Sequence, residues 1–330
     1  MQTSICKAVM CKAFGPPESL VLENIAPPVA GPGEILVDVA YVGLNFFDTL
    51  IIENKYQAKP PLPFSPGAEF SGIVAALGAG VKDFAPGDRV AGFTGHGAAR
   101  TQVACPASQA FRLPDGLALD KAAGLCVTYG TSLHALKQRA HLQPGETLAV
   151  LGASGGVGLA AVEIGAMMGA DVIACASTPA KLAFALAAGA RRGIDYAAVD
   201  IKEALKQATG GRGVDVIYDP VGGPLSEAAL RAIAWQGRFL VIGFASGEIP
   251  RMPLNLALLK GCDILGVFWG DFVRRSPAIH QANMQEIAAG VRDGKLSGHV
   301  HAVFPLAGVA EALGILVRRE ALGKVLLKVG

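Results

Sequence analysis

The sequence predicts an α/β protein in which a doubly wound parallel sheet is joined to a second, β-rich domain. Before about residue 120 the apolar runs are short and broken by Pro and Gly, whereas from Thr147 short apolar strands alternate with helix-length segments. The first of these later strands runs straight into a glycine-rich turn. At 330 residues, 52% hydrophobic and 17% charged, the chain exceeds what one core usually organises, so two domains are expected.

In the first region the strand candidates are residues 35–42, 72–77, 89–92 and 101–104, each bounded by turn residues. The second region offers 148–151, 172–175, 192–195, 214–218, 239–243 and 264–268, a pattern of βαβ units forming a parallel sheet. After Phe268 the alternation stops. A helix over 282–293 and a last strand over 324–329 are expected to return to the first domain.

Charge excludes some partners. Lysine plus arginine total 29 against 27 acids, a net +2 that gives no case for nucleic acid or an anionic membrane. A small neutral or weakly acidic partner fits better. Residues 1–10 lack a signal peptide's apolar run and no stretch of 18 uncharged apolar residues occurs, so a cytoplasmic protein is expected. Six scattered cysteines, with no CxxC pair and no Cys/His cluster of metal spacing, read as buried small hydrophobes.

The turn reads Gly152-Ala-Ser-Gly155-Gly156-Val157-Gly158, between an apolar strand and a segment of helical spacing (Val157, Ala161, Ile164, Met168). Gly155 and Gly156 permit tight backbone beside a pyrophosphate, Gly158 permits close packing of helix on strand, and the helix N-terminus offers free N–H groups. A structural turn is the plainer reading, but the alternations that follow favour dinucleotide binding. An acid normally ends the second strand where a ribose 2′-hydroxyl is bound; here the sequence is Ala176-Ser177-Thr178-Pro-Ala-Lys181. Without a carboxylate to repel it, a 2′-phosphate is favoured, with Ser177, Thr178 and Lys181 as hydroxyl donors and cation, so the expected cofactor is NADPH. Ser177 and Thr178 could equally cap the helix that opens at Pro179.

Several motifs occur together: Gly43-Leu-Asn45-Phe-Phe-Asp48, Pro66-Gly67-Ala-Glu69-Phe-Ser-Gly72, Pro86-Gly87-Asp88-Arg89-Val90, Tyr129-Gly-Thr131 with His134-Ala-Leu136, the glycine turn, and Arg319 with Gly323-Lys324. On these the whole chain resembles the zinc-free quinone oxidoreductase branch of the medium-chain dehydrogenase/reductase superfamily, which includes the ζ-crystallins. The resemblance implies a GroES-like catalytic domain, residues 1–123 plus 269–330, around a Rossmann NADPH-binding domain, residues 124–268. It further implies a homodimer joined through Rossmann edge strands, here 264–268. Zinc-dependent relatives place ligands where this chain has Asn45, Ala68 and Val127, and their four-cysteine lobe is missing.

Carried over by position, Asn45 and Thr131 would lie near the nicotinamide, and Gly155, Gly156, Val157, Gly158, Ser177, Lys181, Tyr196, Arg319 and Lys324 would hold phosphates or adenosine. The loops with Gly222, with Gly243 and Phe244, and with Phe268 and Trp269 would border the nicotinamide. Plainer readings stand beside these: Tyr196 as an exposed turn aromatic, Arg319 as a surface charge, Trp269 as packing, Asp48 as a helix cap. Leu50 stands where close relatives often have tyrosine and Arg100 where many have an acid.

A zinc-free site suits a quinone, whose conjugated carbonyls accept hydride without metal polarisation. The alternative is a 2-enoyl reductase acting on an enone, enal or thioester, because Tyr56 stands at the position of the catalytic tyrosine of zinc-free enoyl thioester reductases. A third reading is a non-enzymatic, NADPH-binding scaffold of crystallin type.

Overall fold

The computed structural model of the chain describes residues 5–330; the start of the N-terminal stretch read above, residues 1–4, lies outside them. The chain divides into two compact units, one of residues 5–127 with Gly270–Gly330 and the other of Thr128–Trp269.

The first unit is built on antiparallel strands: β1 (Cys6–Met10), β2 (Val21–Ile25), β3 (Glu34–Leu44), β4 (Glu69–Leu77), β5 (Arg89–Phe93), β6 (Gln102–Pro106) and β7 (Ala110–Arg112). Two further strands, β14 (Val300–Pro305) and β15 (Lys324–Lys328), return from the C-terminus. The main sheet runs β14-β15-β3-β4-β5-β7, with β6 also on β3. The 11-residue β3 can serve so many partners because it changes them midway: Glu34–Asp38 pairs with β6, and Tyr41–Leu44 with β15. Its alternating side chains Ile35, Val37 and Val39 are buried in a core shared with Phe70, Val90 and Val325. Short helices α1 (Phe46–Ile52) and α2 (Leu119–Ala122) and the longer α10 (Pro277–Arg292) and α11 (Val309–Val317) complete the unit. Helix α10 is fastened where Gln281 Nε2 donates to the carbonyls of Ser108 and Ala110.

The second unit holds a six-stranded parallel sheet: β8 (Thr147–Leu151), β9 (Asp171–Ala176), β10 (Arg192–Asp195), β11 (Val214–Asp219), β12 (Ile233–Val241) and β13 (Asp263–Gly266). The spatial order is β10-β9-β8-β11-β12-β13, so strand order reverses between β8 and β11. Intervening helices are α4 (Gly156–Met167), α5 (Pro179–Ala187), α6 (Ile201–Ala208), α7 (Pro224–Leu230) and α8 (Leu254–Lys260). Strand β8 is buried at all five positions, as a central parallel strand covered on both faces must be. Helix α3 (Leu125–Leu133), continued by a π-helical turn at His134–Arg139, crosses the boundary between the units.

Several expected limits move. Strand β12 starts at Ile233 instead of 239 and ends at Val241, because Gln236 takes a left-handed φ of 57° and the register shifts opposite Val214 to Val216. Residues 267 and 268 lie beyond β13, and α9 (Trp269–Arg275) follows at once. The C-terminal segment carries β14 and α11 in addition to the expected helix and strand.

Candidate active site

The glycine turn joins β8 to α4 on the β8 side of the strand-order reversal, where an open α/β sheet forms its ligand crevice. Gly152 has φ +61°, and a Cβ on Gly158 would lie 2.2 Å from the Gly152 carbonyl oxygen, so neither position admits a side chain without moving backbone. Gly155 is the extended N-cap of α4, and its amide closes the turn on the Gly152 carbonyl at 3.1 Å. Among the described residues, the amides of Gly156, Val157 and Gly158 donate to no backbone carbonyl, as expected of the first turn of a helix. A 12-residue helix thus presents three free N–H groups at its positive end, and a Cβ on Gly155 would meet only the Gly152 carbonyl oxygen, at 3.6 Å. The turn is anchored from behind, because the Ser132 hydroxyl donates to the Val157 carbonyl and lies 2.9 Å from the Tyr218 hydroxyl.

Strand β9 ends at Ala176 without an acid, and Thr178 is the N-cap of α5, its hydroxyl accepting from the Lys181 amide at 3.3 Å. Capping is therefore what Thr178 does, leaving half-buried Ser177, Lys181 and Tyr196 around the strand end. Tyr196 is held there by its amide on the Ala176 carbonyl at 3.1 Å. Asp195, opposite Ala176 in register, turns its carboxylate onto the Ala197 amide.

Across the reversal, buried Asp219 ends β11 and accepts from the amides of Val221 and Gly222 at 2.8 and 3.0 Å and from the Ser226 hydroxyl. This carboxylate fixes the loop before α7. The loop after β12 is stitched to it by Ala245 N to Pro220 O at 3.0 Å and Ser246 N to Val221 O at 2.8 Å, which brings Gly222, Gly243 and Phe244 together. Thr131 is buried in α3. Trp269 is buried and packs over Gly130, where a Cβ would fall 2.8 Å from the indole; Phe268 is exposed.

The first unit holds a closed polar network. Lys324, nearly buried on β15, places its ammonium 2.5 Å from Glu69 Oε1 and 2.5 Å from Asn45 Oδ1. The Asn45 amide nitrogen donates to Glu69 Oε1 at 2.9 Å, and the second carboxylate oxygen accepts from the Val127 amide at 2.9 Å. Asp48 caps α1 by accepting from the Asn45 amide at 2.7 Å and also accepts from the Gly67 amide at 3.2 Å. Burial, with the Glu69 carboxylate opposing the Lys324 ammonium nearby, pushes the Asp48 carboxyl up to about 7. Tyr56 stacks on Phe47 with ring centroids 5.3 Å apart, and burial with the Asp48 charge raises its phenol, keeping the O–H protonated.

This corrects one expectation. Lys324 faces inward to a carboxylate instead of outward to a phosphate, because its position in the buried run of β15 sets it against the buried Glu69 charge. Asn45 has both ends of its amide engaged by Lys324 and Glu69. Arg319 lies exposed at the end of α11 in a left-handed conformation, φ 58°. Sequence reasoning passed over Asp219, Ser132 and the partnership of Glu69 with Lys324. The Asp219-Pro-Val-Gly-Gly223 run at a strand end was the available signal for the first; the other two depend on contacts across long chain separations.

Each vacated zinc-ligand position lies at or beside this network: Asn45 within it, Val127 through its amide, and Ala68 next to Glu69. None carries the cysteine, histidine or carboxylate that a zinc site uses, and among the described residues no group of three or more His, Cys, Asp or Glu could hold a metal ion.

Comparison with known proteins agrees with this geometry. Residues 31–115 match the alcohol dehydrogenase GroES-like domain and residues 156–288 the zinc-binding dehydrogenase model. The chain is 38% identical to the quinone oxidoreductase-like protein 2 of Rattus norvegicus, over 97% of its own length and 91% of that protein. It is 32% identical to the quinone oxidoreductase of Pseudomonas aeruginosa, over 98% and 99% of the two lengths. The crystal structure of Escherichia coli quinone oxidoreductase complexed with NADPH superposes with a TM-score of 0.92 at 29% identity, covering 98% of this chain and 99% of that one. With full-length relatives of this kind and no zinc-ligand set at Asn45, Ala68 and Val127, the chain belongs to the zinc-free quinone oxidoreductase branch of the medium-chain dehydrogenase/reductase superfamily.

Proposed function

We propose that this protein is an NADPH-dependent, zinc-independent oxidoreductase that passes hydride to a quinone. The observation that carries the reading is the set of free amides at Gly156, Val157 and Gly158, followed by a second strand that ends at Ala176 without an acid. The NADPH-bound Escherichia coli relative supports the same choice of cofactor. Bound NADPH supplies the hydride and the electrons.

The chain's residues do the positioning. The α4 amides and helix dipole hold the pyrophosphate, and Ser177, Lys181 and Tyr196 hold the adenosine end with its 2′-phosphate. Asp219 and the paired loops around Gly222, Gly243 and Phe244, with Thr131, set the nicotinamide end. Tyr56, its phenol kept protonated, offers an O–H to an oxyanion forming on the acceptor. A quinone asks for little more than this, since its ring stabilises the reduced anion and water can complete protonation.

Exposed Ile249, Leu254, Leu258 and Leu259, in the segment that leads into edge strand β13, support a homodimer closed by a second copy. Six buried, unpaired thiols suit the reducing cytoplasm. The test is an NADPH-oxidation screen across quinones, enals, enones and enoyl thioesters. Quinones should give the highest kcat/KM; a strong preference for enones or thioesters, lost in Tyr56→Phe, would move the assignment to enoyl reduction.

A further inference from the structure

A second cavity lies wholly within the first unit. It has a volume of about 320 Å³, at the small end of ligand pockets, and is formed by the 61–65 segment, the turn after β5 and part of β6. Pro28, Pro63, Phe64 and Val103 give it apolar walls, while Arg100 and His96 are its nitrogen-bearing side chains; no acid lines it. None of these residues belongs to the Asn45–Glu69–Lys324 network.

Arg100 is the unusual feature. Its Nε is buried and has no hydrogen-bond partner, and no carboxylate among the described residues pairs with its guanidinium. An arginine cannot escape desolvation by losing its proton, so the charge stays and lacks a counter-ion. Burial depresses its proton affinity and the Cys6 sulfur offsets this only in part. His96, edge-on to the Phe64 ring, is held neutral by burial and by the Arg100 charge. Both groups would gain from one negative charge placed between them.

We infer that this cavity binds a small organic monocarboxylate, its carboxylate on the Arg100 guanidinium and its apolar body against Pro28, Pro63, Phe64 and Val103. The planar guanidinium fork matches a carboxylate bidentately, and a single arginine suits one negative charge better than a polyphosphate. The proline, phenylalanine and valine walls select an aromatic or branched body over a hydrated one.

The test titrates the full chain calorimetrically with sodium benzoate, with benzyl alcohol as the neutral analogue and inorganic phosphate as the anion without an apolar body. Benzoate should bind saturably, with benzyl alcohol and phosphate each weaker by about tenfold or more, and Arg100→Gln should weaken benzoate by about tenfold or more. Saturation should also raise the His96 imidazole pKa, read by NMR. Because Arg100→Gln could fail to fold, the unsubstituted chain provides a second readout, in which benzoate should slow phenylglyoxal modification of Arg100. Absence of saturable binding, equal affinity in Arg100→Gln, phosphate binding as tightly as benzoate, or an unprotected Arg100 would each overturn the inference.

Discussion

The two polar centres of this molecule are built in opposite ways. At the glycine turn the donors are backbone amides with nothing of the chain's own to bind, and side chains are excluded by the 2.2 Å approach at Gly158. In the first unit, Asn45, Asp48, Glu69 and Lys324 satisfy one another in a closed set. Open donors on rigid backbone are available to a ligand without side-chain entropy loss, whereas a closed network rigidifies the unit and gives nothing away. Cofactor affinity should therefore respond to the second unit's turn, and stability to the first unit's network.

The largest effect should come from breaking the closed set. Lys324→Met leaves the Glu69 carboxylate buried without its cation and should cost about 3 to 5 kcal/mol of stability in denaturant unfolding. A loss below 1 kcal/mol, with NADPH affinity reduced instead, would return Lys324 to the cofactor. The network should also show itself through pH. Asp48 has its folded pKa raised to about 7 against an unfolded value near 3.9, so between these limits the native state holds the extra proton. Its contribution therefore makes stability fall as pH rises from about 4 to about 7, by on the order of 4 kcal/mol, and level off above. A carboxyl NMR titration should place Asp48 near 7; a midpoint near 4 would contradict the closed network.

At the open centre the expected change is smaller and falls on binding. Lys181→Ala should weaken NADPH by about 1.5 to 3 kcal/mol and leave NADH nearly untouched, measured by fluorescence titration. Chelation should have no effect: quinone reduction should survive it, and protein purified without added metal should carry no stoichiometric zinc. Activity lost on chelation and restored by zinc would break the contrast between the two units.

The open centre was legible in the sequence because its determinants are local. The strand, the glycines and the helix occupy one stretch from Thr147 to Met167, and the missing acid at Ala176 can be read directly. The start of β12 at Ile233 is hard to read from sequence because Gln236 and Gly237 interrupt its apolar run, although the sheet absorbs them as an irregularity. Strand β14 was missed because it lies at a sheet edge and alternates between half-buried and exposed positions without a strong apolar run. The closed centre was legible only as motifs. Glu69 and Lys324 are 255 positions apart, and nothing in Gly323-Lys324 tells whether the ammonium faces a phosphate or the core. Arg100 was visible as a departure from the family pattern, but its unpaired guanidinium needed the fold.

The most direct measurement is the pair of dissociation constants for NADPH and NADH on the unmodified protein, determined side by side at one ionic strength. If, as proposed, the α4 amides hold the pyrophosphate and Ser177 and Lys181 face a 2′-phosphate, NADPH should bind about tenfold or more tightly than NADH. Equal constants would contradict the phosphate pocket at the end of β9, and failure to bind either nucleotide would contradict the assignment of the glycine turn itself.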